Sequence, residues 1–171
     1  DKFHWGVNLD EQQKIVREMF DTIEETGGSR PTETTAGSTG SKYHFTWNVG
    51  STSDTGCHFH LMNTMHYLLI AAHVEKYKNE ENTKKLELVN YFNLGQELGT
   101  WVSLRDESGF ALQLHLIKQD HIYAKEQLAH FILKMVACVT HFMVAAEMFF
   151  VEGKDVSKAV HEAEIGLKKS S

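Results

Sequence analysis

Three hydrophobic periods follow one another between residues 84 and 150. Leu86, Leu88, Val89, Phe92 and Leu94 recur at roughly helical spacing. Residues 100–105 (TWVSLR) and 110–117 (FALQLHLI) then alternate at period two, separated by the turn residues Asp106, Glu107, Ser108 and Gly109. Leu128, Phe131, Ile132, Met135, Val139, Phe142, Met143, Ala146 and Phe149 return to helical spacing. A helix brings every third or fourth side chain to one face, and a strand every second. The stretch therefore predicts a helix, a hairpin and a long helix over about 124–151, ended by Gly153.

The first half reads differently. Ile15, Val16, Met19, Phe20 and Ile23 form an apolar stripe, which predicts a helix over 10–26 capped by Asn8 or Asp10 and ended by Gly27 and Gly28. Residues 29–41 are rich in Ser, Thr and Gly and hold the single proline, so a flexible loop is expected there. Tyr43, Phe45, Trp47 and Val49 alternate with His44, Thr46 and Asn48. After a turn at 50–56, Cys57, Phe59 and Leu61 alternate with His58, His60 and Met62. The apolar run 65–74 is read as a third strand, and the charged stretch 75–85 as a surface loop. Residues 156–168 suit a short closing helix within a tail over 154–171. The order α-βββ-α-ββ-α predicts one α+β domain over 1–171, an antiparallel sheet of about five strands with helices packed on one face.

Composition narrows the function classes. The chain has 171 residues and a formal net charge of −6, with no Lys/Arg cluster. Phosphate backbones demand such a cluster, so no nucleic-acid partner is expected. Cys57 and Cys138 are too few for a disulfide framework and are read as buried reduced thiols, which implies a reducing, cytoplasmic setting. The densest apolar segment, 131–151, is interrupted by Lys134, His141 and Glu147, so no membrane partner is expected.

Candidate chemistry is sparse. His58 and His60 stand at i and i+2 on a strand, on one side of the sheet, with His44 and His115 as conceivable third ligands. That pattern suits zinc and metal-activated water. The competing assignment is a solvated outer face, since Cys57, Phe59 and Leu61 take the core positions. The adjacent acids Asp106–Glu107 and Glu80–Glu81 fall in turns and do not face one another. Neither a Gly-x-Ser-x-Gly elbow nor a phosphate-cradling Gly-Lys-Ser/Thr is present. No catalytic residue, resident metal or cofactor is expected, and the zinc-binding protein or zinc-dependent hydrolase stands as the alternative. Tyr43, Phe45, Trp47, Trp101 and Phe110 are core candidates. They are also the aromatic set expected to bind a partner if their face is the uncovered one.

Residues 87–93 (ELVNYFN), 99–104 (GTWVSL), the turn 106–109, 110–116 (FALQLHL) and the Gln127–Leu128 pair together resemble the YbjN-like and type III secretion chaperone-like superfamily. The resemblance covers about 65 residues of the second half, and the first half fits by topology. It implies a small, acidic, non-enzymatic cytoplasmic protein. Such a protein is expected to be a homodimer that holds a protein or peptide partner on an exposed sheet or helix surface, or to act in regulation.

Overall fold

A computed structural model describes residues 5–35, 40–49, 56–119 and 121–170. The elements run α1 (Trp5–Glu25), β1 (Thr32–Thr35), β2 (Gly40–Asn48), β3 (Gly56–Thr64), β4 (Tyr67–Val74), α2 (Asn82–Leu94), β5 (Thr100–Ser103), β6 (Phe110–Ile117), α3 (Lys125–Ala146) and α4 (Val156–Ser170). A π-helical turn, Glu147–Val151, continues α3 before Gly153 ends it with a φ of 74°. The described strands form one antiparallel sheet of six in the order β1-β2-β3-β4-β6-β5. The α+β class is as the pattern predicts, with one strand more than expected.

The added strand is β1, inside the segment read as a flexible loop. Thr32, Thr34 and Thr35 are β-branched and suit a pleated edge. Glu33 accepts hydrogen bonds from Arg17 and Gln13 of α1, which ties the strand to the helix beneath it. Residues 36–39 and 50–55 lie outside the described residues, and with them most of the expected turn. A second departure is at 82–85, read as loop. These residues open α2, and Lys85 is buried with its ammonium donating to the backbone oxygen of Lys78.

The core follows from strand alternation. Tyr43, Phe45 and Trp47 of β2, Phe59 and Leu61 of β3, Leu68, Ile70 and Ala72 of β4 and Phe110 and Leu112 of β6 point to one face. Over them lie the stripes of α1 (Val16, Met19, Phe20, Ile23) and α3 (Leu128, Ile132, Met135, Val139, Phe142). Gln12 pins the entry of α3 to α1, donating to the Tyr123 oxygen and accepting from its N–H. Gln127 then accepts from the N–H of Ala124 and satisfies a free donor at the start of α3. By length and composition, Lys125–Val151 is apolar enough to cross a bilayer, but here its apolar stripe is the centre of the core.

A charged group also enters the core from the end of β6. Lys118, at the end of β6, is 1% exposed, and its ammonium donates to Asn63 Oδ1 and to the Thr64 backbone oxygen. Asn63 in turn donates to the Leu9 oxygen of α1. Burial pushes the Lys118 pKa down to about 8.

Candidate functional site

The aromatic residues expected to hold a partner lie on the covered face. Tyr43, Phe45, Trp47, Trp101 and Phe110 are all buried beneath the helices. Phe20 of α1 packs against Tyr43 and Phe45 with ring centroids 5.3 and 5.1 Å apart. Trp101 stacks on Phe142 of α3 at 4.0 Å, and Phe110 meets the same ring edge-on at 5.0 Å. A partner reaches these rings only by displacing helices. The physical reason is plain: an alternating strand offers its most apolar side to the first apolar surface available, and α1 and α3 of the same chain supply it.

Both sheet edges are also managed. At the β5 edge, Asn93 of α2 accepts from the N–H of Trp101 and donates to its carbonyl, both at 2.8 Å. The side-chain amide thereby takes the place of a neighbouring strand. At the opposite edge, β1 is short and polar, with Glu33 held at 2.7 Å by Arg17.

Two surfaces remain. The first is the open sheet face, where β2 and β3 gather histidines. His44 stands directly across from His60, and His58 across from Thr46 on one side and His73 on the other. His44 Nε2 and His58 Nδ1 are 3.0 Å apart, with stacked rings. The rings of His44 and His60 are 4.8 Å apart, and His60 Nδ1 is buried with no hydrogen-bond partner. His73 is drawn aside and donates to the backbone oxygen of Ser108. His115 stands apart on β6, exposed and nearest Tyr67.

Burial lowers the His44 pKa, helped by the charges of His58 and Lys42. Burial, Lys42 and the neighbouring imidazoles push His60 down to about 4. His60 is therefore neutral at pH 7 and His44 is shifted the same way, toward the form in which an imidazole offers a lone pair. Among the described residues, no group of three His, Cys, Asp or Glu side chains is disposed to enclose a metal ion.

The second surface is a groove of about 840 Å³ between the end of α2, the middle of α3, and α4. Phe92, Leu98, Phe131, Cys138 and Val160 line it, with Lys134 and Glu97 among its charged residues. Gln96 donates to the Leu98 oxygen at 2.7 Å and approaches Cys138 Sγ at 3.4 Å, so the loop after α2 is fastened to α3. His141 bonds the Val160 oxygen at 2.9 Å and fastens α4. Leu94, another lining residue, is 85% exposed, the most exposed of the large apolar side chains described.

The sequence reading put Leu94 in the α2 stripe. Its angle tells otherwise: Leu88, Phe92 and Val89 share one side within about 100° of arc, while Leu86 falls about 60° and Leu94 about 120° outside that arc. Both are more than half exposed. Cys57 is buried and its thiol is pushed up to about 12 by that burial, so it is no nucleophile; Cys138 is half-buried, and both cysteines are free. Compared with family models, curated proteins and solved structures, the chain matches none.

Proposed function

We propose that this protein is a non-catalytic, chaperone-like binding module that holds an amphipathic helical segment of a partner polypeptide in the α2/α3/α4 groove. The observation that carries the reading is Leu94, left 85% exposed at a groove whose lining is largely apolar. Covering one such leucine stabilises a complex by about 1.5–3 kcal/mol. A helical ligand with apolar residues at i, i+3, i+4 and i+7 suits a groove between helices. Lys134, Glu97 and Glu164, all exposed, offer the segment one positive and two negative charges. Strand addition is a poorer reading, because Asn93 occupies the β5 edge. The resemblance to the YbjN-like and type III secretion chaperone-like superfamily agrees with polypeptide holding. It brings with it a cytoplasmic homodimer, whose mass light scattering measures directly.

Site-specific photocrosslinking tests the groove. A photoreactive side chain at Leu94 should label one apolar, amphipathic segment of a partner, and Phe131→Asp should abolish the label while the circular dichroism spectrum holds. The same probe at exposed Lys84 is the control. Labelling at Leu94 no stronger than at Lys84 sinks the reading. Labelling of a second copy of this chain also overturns it, and makes the groove a dimer contact instead.

A further inference from the structure

Independently of the groove, the open face carries a second site. We infer that His44 and His58 chelate a divalent transition-metal ion across β2 and β3, copper(II) in preference to zinc(II), with solvent completing the coordination and His60 as the adjacent third imidazole.

The donor set selects the metal. Imidazole nitrogens bind at about 2.0–2.1 Å. His44 Nε2 and His58 Nδ1, 3.0 Å apart in a hydrogen bond, come within reach of one ion when both rings turn toward it. Tetragonal nitrogen–oxygen coordination is the preference of copper(II) and nickel(II), and copper(II) is bound most tightly of the divalent series.

The support is rigid. Directly behind the histidines, Phe45 and Phe59 oppose one another across the same two strands and stack at 5.1 Å in the core. In the metal-free form one of the facing nitrogens carries a proton that the other accepts. Metal binding moves that proton to the other nitrogen of its own ring. Ligand binding needs only a change of tautomer and a turn of two rings. Lys42 stands on the same face of β2, two residues before His44, and opposes a cation there.

The test is copper(II) titration of the purified chain, read by calorimetry and electron paramagnetic resonance. One equivalent should bind with a tetragonal spectrum showing at least two imidazole nitrogens, and zinc(II) should bind at least tenfold more weakly. His44→Ala and His58→Ala should each lose tenfold or more in affinity. His115→Ala should leave it unchanged, and Lys42→Gln should tighten it. Equal binding by the wild type and the His44/His58 double variant means an adventitious ion only, and overturns the proposal. Should a variant misfold, the wild-type spectrum still decides: a single imidazole nitrogen, or zinc binding as tightly as copper, overturns it equally.

Discussion

The two faces of the sheet are written by the same strands and meet opposite fates. Phe45 and His44 are neighbours on β2, as are Phe59 and His58 on β3. Phe45 and Phe59 are wholly buried, whereas the two histidines are half-buried and face outward. Strand geometry separates them, but what covers Phe45 is α1, contributed by a remote stretch of chain. Alternation sorts side chains into two sets; helix packing decides which set is interior. The covered face is therefore a matter of stability, and the open face is where chemistry has room.

The largest expected contrast tests that division directly. Phe45→Ala should cost about 3–5 kcal/mol of unfolding free energy, the range for a large aromatic removed from a core. His44→Ala, one residue away, should stay within about 0.5 kcal/mol. Urea denaturation measures both, and a Phe45→Ala loss below about 1 kcal/mol would falsify the covered-face assignment.

Next comes Lys118, a charged group inside the covered half. Its pKa is about 8 when folded and near 10.5 when exposed. Between those values the unfolded chain binds more protons than the folded one, so stability should rise with pH through that window, by up to about 3 kcal/mol. This group adds no slope below pH 8. In Lys118→Met the rise between pH 8 and 10.5 should disappear; an unchanged slope in that variant assigns the rise to other groups.

Smaller still is the edge contact of Asn93. Losing both hydrogen bonds to Trp101 in Asn93→Ala should cost about 1–3 kcal/mol. The Trp101 amide should also exchange faster in deuterated water. Protection equal to that of the wild type counts against the blocked edge. The smallest effect belongs to Leu94→Ser, which should leave stability within about 0.5 kcal/mol because the side chain is already in water. A loss above about 1 kcal/mol shows that Leu94 is core after all, and the groove reading goes with it.

Much of the architecture was legible because periods of two and 3.6 survive any tertiary context. The β5–β6 hairpin, α3 and α4 fall where the apolar spacing predicts them, while α1 begins at Trp5, so that Asn8 and Asp10 lie inside it rather than capping it. Gly109 shows how local some of this is. It closes the hairpin at a φ of 102°, and its carbonyl accepts from Leu104 at 2.8 Å, a conformation that suits glycine. The strand β1 was not legible, because its four polar residues are ordered by Arg17 and Gln13 of a remote helix. The buried Lys118 was hidden for the same reason: its acceptors, Asn63 and Thr64, lie more than fifty residues away.

By itself the sequence determined the α+β class, the helix–hairpin–helix order of its second half and the sorting of His58 and His60 away from Phe59. These are consequences of backbone periodicity, which acts over a few residues. Only the tertiary structure decided that Tyr43, Phe45, Trp47, Trp101 and Phe110 are core rather than contact surface, and that His44 meets His58 while His115 does not. It also decided that the uncovered apolar surface is a groove between helices. Those outcomes depend on strand register and helix docking, set by contacts between residues far apart in the chain, and no local period records them.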